Sequence, residues 1–140
     1  MKYVGKNIPR NDGFDKATGL GQFTMDVFML DMLYARVLRS PYAHAKVVKI
    51  DTSAAEALPG VVTVCTFENT TNKPFNTSAT MVTTPRPAEP VRDQTIFTDE
   101  PKYIGDEVAA VAAETEAIAA EAIKRIKVEY EVLPAVYAPF

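Results

Sequence analysis

Histidine and cysteine each occur once in this 140-residue chain, as His44 and Cys65. That scarcity excludes an internal disulfide, and it leaves too few ligands for a zinc site of the usual kind, which draws several Cys or His side chains to one metal. Basic charge is not in surplus either. Fifteen Lys and Arg against eighteen Asp and Glu give a net charge of −3, so there is no electrostatic case for binding nucleic acid or an anionic membrane surface. No apolar run approaches the roughly 20 residues that a membrane span needs. The start, Met1-Lys2-Tyr3-Val4-Gly5-Lys6-Asn7, lacks the hydrophobic core of a signal peptide. These absences predict a cytoplasmic protein with no nucleic-acid and no membrane partner. What remains is ordinary globular composition, 47% hydrophobic and 24% charged, at a length suited to one domain or one domain plus an arm.

The strongest pattern lies between Tyr103 and Val136. An unbroken apolar run from Val108 to Ala113 predicts a strand covered on both faces. Ile118, Ala119, Ala122, Ile123 and Ile126 then recur at helical spacing, with Glu116, Glu121, Lys124 and Arg125 on the other side. Glu121 and Arg125, four apart in the favourable order, add a few tenths of a kcal/mol, roughly, to that helix. The period next changes to two: Ile126, Val128, Tyr130 and Val132 alternate with Lys127, Glu129 and Glu131, and Leu133-Pro134 closes the strand. This βαβ unit is expected to form the core, with a right-handed crossover if both strands run parallel in one sheet.

Upstream, Gly5, Pro9, Gly13, Gly19 and Gly21 make the first 25 residues an arm too rich in breakers for a regular element. Gly19-Leu20-Gly21 is not a dinucleotide fingerprint, because no strand precedes it and Thr24 stands where the third glycine belongs. Leu33, Ala35 and Val37 alternate with Tyr34 and Arg36, which predicts a half-buried strand over 32–39. Ser40-Pro41-Tyr42 turns the chain into a second strand, Ala45 to Ile50, expected antiparallel to the first because the connection is short. Ser53-Ala54-Ala55-Glu56 matches a capping box with Ser53 as N-cap. Leu58-Pro59-Gly60 ends that short helix, and Val61 to Thr66 is the next strand. Thr95, Ile96 and Phe97 read as a brief pairing segment. From Glu68 to Arg92 the pattern dissolves around Pro74, Pro85, Pro87 and Pro90, and a connection of that length is uncommon in a compact domain unless functional or disordered.

Few residues could carry chemistry. His44 beside a turn reads as a structural hydrogen-bonder, since catalysis needs partners that converge on it. Cys65, inside an apolar strand, reads as a small buried hydrophobe; reactive thiols need exposed, electropositive surroundings. Glu129 and Glu131 share one face of a strand, the pattern of solvated side chains rather than of an acid–base pair. Asn69-Thr70-Thr71 and Asn76-Thr77-Ser78 match the glycosylation pattern but lack the secretory context it requires. On the residues alone, a free-standing binding module using the long loop and a small enzyme using His44 or Cys65 both remain open.

Several blocks taken together resemble one family. They are Arg39-Ser40-Pro41-Tyr42-Ala43-His44-Ala45, Ile50-Asp51-Thr52-Ser53-Ala54-Ala55, Ala57-Leu58-Pro59-Gly60-Val61, Tyr103-Ile104-Gly105-Asp106-Glu107-Val108-Ala109-Ala110-Val111-Ala112 and Val128-Glu129-Tyr130-Glu131-Val132-Leu133-Pro134-Ala135-Val136, with Arg10-Asn11-Asp12-Gly13 and Lys16-Ala17-Thr18-Gly19 in the arm. In order and over nearly the whole chain, they are similar to the α/β hammerhead domain that opens the molybdenum-binding subunit of the xanthine dehydrogenase and aldehyde oxidase family. The chain departs from the family at Leu30-Asp31, where a Pro-Gly turn is usual, and in the loop from Glu68 to Arg92.

The resemblance implies an α+β fold: a small mixed sheet, a helix packed on it from the C-terminal βαβ unit, and one short additional helix. It implies an arm over 1–25, a hammerhead domain over 26–140, and a fragment of a longer chain. It also implies a parent oxidoreductase that hydroxylates purines, aldehydes or aromatic substrates at a molybdopterin, with iron–sulfur clusters, and often a flavin such as FAD, on partner domains or subunits. The family's glutamate base and its molybdopterin-holding loops belong to downstream molybdenum-binding domains. No catalytic, cofactor-binding or metal residue is therefore expected here, and a structural and interface role is.

Overall fold

The computed structural model describes residues 4–75 and 92–138. The chain divides into two compact units, Met1–Met32 and Leu33–Phe140.

The first unit departs from the expectation of an arm without regular elements. It forms a short helix, α1 (Gly13–Thr18), and a 3-10 turn at Thr24–Asp26. The breakers flank α1 rather than interrupt it. Asp12, at the N-cap, accepts the Lys16 N–H on its carbonyl at 3.2 Å and pairs with the Lys16 and Arg10 side chains at 2.7 and 2.5 Å. These two cations hold the Asp12 carboxyl below the usual carboxylate range, Lys16 foremost. Gly19 closes the helix at φ +75°, the left-handed conformation that glycine adopts most readily.

Further on, the Met32 N–H donates to Met29 O at 3.3 Å across Leu30-Asp31, and Asp31 takes φ +61°. A left-handed residue costs about 1–2 kcal/mol, and glycine relieves this at an entropic cost of about 0.5–1 kcal/mol. Asp31→Gly is therefore expected to raise the hydrogen-exchange protection of the Met32 amide about twofold.

The second unit contains two antiparallel sheets. One has the order β1 (Tyr34–Arg39), β4 (Glu107–Ala113), β3 (Val61–Thr66), and the other pairs β2 (Ala45–Asp51) with β5 (Lys127–Val132). The expected strand, helix, strand run is present as β4, α3 (Glu116–Arg125) and β5. However, β4 and β5 lie in different sheets, so no parallel crossover arises. Nor does β2 pair with β1 as the short connection suggested, because Ser40 to His44 carries the chain from one sheet to the other.

The helix α3 packs on β1, β4 and β3, and the short α2 (Ser53–Glu56) packs on α3 and β3. Thr115 caps α3, accepting the Ile118 N–H on its hydroxyl at 3.2 Å. At α2 the expected capping box does not form. Thr52 is the N-cap, and the Asp51 carboxylate takes both the N–H and the hydroxyl of Ser53, at 3.1 and 2.6 Å. These same bonds from Ser53 hold the Asp51 carboxyl below its ordinary range.

Small side chains dominate the core: Ala55, Val64, Ala109, Val111, Ala122 and Ile126, flanked by Leu38, Ile50, Leu58, Val61, Ile123 and Val128. Alanines at the helix–sheet seam keep side-chain bulk low, so the backbones pack closely there. Bulges decide which residues face inward. An extra residue at Val48 of β2 and at Val62 of β3 leaves those valines exposed and turns Ile50 and Val64 toward the core. On β1 the residue that reaches the core is Leu38, whereas Tyr34 to Val37 are exposed, so the expected half-buried face is not formed.

Beyond β3, the Asn69 amide ties the chain down. It accepts the Thr66 N–H and donates to Val64 O, both at 2.8 Å. Loss of both bonds in Asn69→Ala is expected to cost about 1–2 kcal/mol, read by chemical denaturation. The brief pairing expected at Thr95 to Phe97 occurs one residue earlier, where Gln94 bridges Phe75.

Candidate functional site

Chemistry-bearing side chains gather where Arg39 to His44 leaves the first sheet for the second. Ser40 is buried; its N–H donates to Asp106 O at 2.8 Å and its carbonyl accepts the Gly105 N–H at 2.9 Å. Its hydroxyl folds over the turn, donating to Tyr42 O and accepting the Tyr42 N–H. Arg39 donates to Gly105 O at 2.7 Å and to Glu107 Oε1 at 2.6 Å. Tyr42 meets Tyr130 edge-on, with ring centroids 5.3 Å apart. Burial, followed by the neighbouring Tyr42, pushes the Tyr130 phenol above its ordinary range.

His44 completes the turn. Nδ1 lies 2.7 Å from Pro134 O and Nε2 lies 3.3 Å from Glu100 Oε1. The Pro134 carbonyl first, and the Glu100 carboxylate second, raise the imidazole above its usual 6.5. This is the structural hydrogen-bonding role expected of it.

Two clefts flank this region and share Glu100, Lys102 and Tyr103. The first, about 510 Å³, is bounded by Phe75, Gln94, Thr98, Asp106 and Glu107. Its best-placed carboxylates are engaged: Asp106 accepts the N–H groups of Lys102 and Glu107, and Glu107 pairs with Arg39. Tyr103 is pushed up by burial and then by the negative charge of Asp106 and Glu107. The second cleft, about 620 Å³, lies between His44, Ile104 and the segment Pro134 to Tyr137. Its apolar lining includes Val136 and Tyr137, both 87% exposed.

The remaining sequence candidates are dispersed. Cys65 is half-buried on β3 of the first sheet, whereas His44 lies in the turn that precedes β2 of the second. The hydrogen-bonding positions on both His44 nitrogens are already taken. Glu129 and Glu131 are exposed on β5 opposite Lys49 and Lys46, complementary pairs that favour this register. The Asn69 side chain is committed to the turn after β3, and the motif at Asn76 lies outside the described residues, as does most of the proline-rich loop. Among the described residues no group of three or more His, Cys, Asp or Glu could hold a metal ion. Among them, too, no helix is long and apolar enough to cross a membrane. Sequence reasoning missed Glu100 and Pro134 as the partners of His44, because they lie 56 and 90 residues away.

Fold and site together define a small two-sheet α+β domain whose polar turn lies beside two clefts. Residues 18–134 match the family model described as aldehyde oxidase and xanthine dehydrogenase, a/b hammerhead domain. The chain belongs to this family, as that domain. It is 38% identical over 133 residues to the probable hypoxanthine oxidase XdhD of Escherichia coli K12, covering 95% of this chain and 14% of that one. Against the xanthine dehydrogenase molybdenum-binding subunit of Escherichia coli O157:H7 it is 35% identical, covering 93% and 17%. It superposes on quinoline 2-oxidoreductase from Pseudomonas putida 86 with a TM-score of 0.80 at 34% identity, covering 95% and 17% of the two chains. The chain thus spans about a sixth of the length of these relatives.

Proposed function

We propose that this chain is a non-catalytic structural and interface domain of a cytoplasmic molybdopterin-dependent hydroxylase acting on purines, aldehydes or aromatic substrates. Residues 1–25 are its arm and 26–140 the domain proper, and none of them is a catalytic, cofactor or metal residue. Downstream molybdenum-binding domains complete the enzyme, with iron–sulfur and FAD domains or subunits as further partners.

One observation carries this reading: the apolar surface of the first unit. Phe14, Leu20, Met25, Phe28, Met29 and Leu30 are all exposed, Met25 at 88% and Leu30 at 93%, within a chain whose relatives are several times longer. Large apolar side chains left exposed in this number point to a contact surface. The decisive experiment is to express whatever the parent gene encodes beyond Phe140 and to measure molybdenum in the product and in the 140-residue chain alone. Metal in the longer product only is the expected result; a stop directly after Phe140 would overturn the proposal in favour of a free-standing binding module.

The contact surface has its own test. Phe28→Glu with Leu30→Glu is expected to leave the stability of the 140-residue chain within about 0.5 kcal/mol, as for exposed positions generally. Its affinity for the separately expressed remainder of the enzyme should fall at least about tenfold, as when apolar anchors are lost.

A further inference from the structure

His44 sits where three stretches of backbone meet. Its carbonyl accepts the Leu133 N–H at 3.0 Å, while Ala45 and Val47 donate to Pro101 O and Asp99 O at 3.1 and 2.7 Å. The start of β2 is therefore laced to residues 99–101 as well as to the end of β5. The imidazole stitches the same stretches together, with the Pro134 carbonyl at Nδ1 and the Glu100 carboxylate at Nε2. Neither acceptor has a proton to give. A neutral imidazole has a single N–H and can serve only one of them, whereas the imidazolium serves both.

We propose that His44 is a proton-operated clasp across the 620 Å³ cleft. Protonated, it joins the Glu100 loop to the segment leaving β5 at Pro134. Deprotonated, it keeps the shorter bond to Pro134 and turns a lone pair toward the Glu100 carboxylate, which repels it and frees that side. The other titratable groups lining the cleft are Lys102, Tyr103 and Tyr137. Of these, the Lys102 ammonium opposes the imidazolium and Glu100 favours it. A midpoint raised in the folded chain means that the clasp's contribution is fully present below the unfolded value of 6.5. It is lost as pH rises through the folded midpoint.

Because His44 is the only histidine, its ring resonance reports the titration without ambiguity. In the 140-residue chain the midpoint is expected above 6.5, moving down in Glu100→Gln, a variant that keeps the size of the side chain. Protection of the Ala45 amide, corrected for intrinsic exchange, is expected to fall about two- to fivefold as pH rises through that midpoint, the scale of an exposed ion pair. That fall should disappear in Glu100→Gln and in His44→Gln. A midpoint at or below 6.5, or the same loss of Ala45 protection in both variants, would overturn the clasp.

Discussion

Gly60→Ala is expected to destabilise the domain by about 2–3 kcal/mol. Gly60 stands at φ +86°, and a Cβ there would lie 2.6 Å from Ile118 Cδ1. The left-handed backbone accounts for about 1–2 kcal/mol, and pushing Ile118 off its rotamer adds about 0.5–1.5 kcal/mol. The position also anchors the sheet to the helix, because the Glu114 N–H donates to Gly60 O at 2.9 Å just before α3. Gly105→Ala separates the two costs: its φ is +100°, but nothing lies within 4 Å of the added carbon, so only the backbone cost remains. Urea denaturation of the two variants, compared at equal slope, checks the difference. Equal losses would show that Ile118 moves aside freely.

Ala122→Leu is expected to cost about 1–3 kcal/mol by overpacking. Ala122 is fully buried in the core cluster with Ala109 and Val111, so three added carbons must displace the helix or the sheet. Alanine and leucine have similar helix propensity, so the loss reports packing. Ala117→Leu, on an exposed position of the same helix, should stay within about 0.5 kcal/mol. A near-neutral Ala122→Leu would mean that the seam is looser than an alanine core requires. Both predictions concern the tight approach of α3 to the first sheet, on which the shape of this domain depends.

The elements themselves were legible wherever local chemistry is decisive. The run from Val108, the stripe from Ile118 to Ile126 and the alternation from Lys127 to Val132 became β4, α3 and β5 within a residue or two. Leu58-Pro59-Gly60 ended α2 as expected. The α+β class and the hammerhead family were readable for the same reason, since their signature blocks are short and contiguous. The faces of the strands were less so. A bulge shifts the inward set by one residue without leaving a mark on composition, as at Val48 of β2 and Val62 of β3, and on β1 Leu38 rather than Leu33, Ala35 and Val37 reaches the core. Capping at α2 also escaped, because Asp51 accepts the Ser53 N–H that Glu56 could have accepted, and Glu56 accepts the Thr52 hydroxyl instead.

At the polar turn, His44 could be recognised from sequence as a hydrogen-bonder beside a turn, but its partners could not. The order of amino acids determined the lengths and types of the elements, their stops, and the shortage of ligating side chains, because propensity, periodicity and composition act over a few residues. Only the tertiary structure decided that β4 and β5 part into separate sheets and that β2 joins β5 rather than β1. The same long-range packing brought Glu100 and Pro134 to the two nitrogens of one imidazole. Such pairings join residues tens of positions apart, and they are settled by which apolar faces bury one another, not by any local pattern.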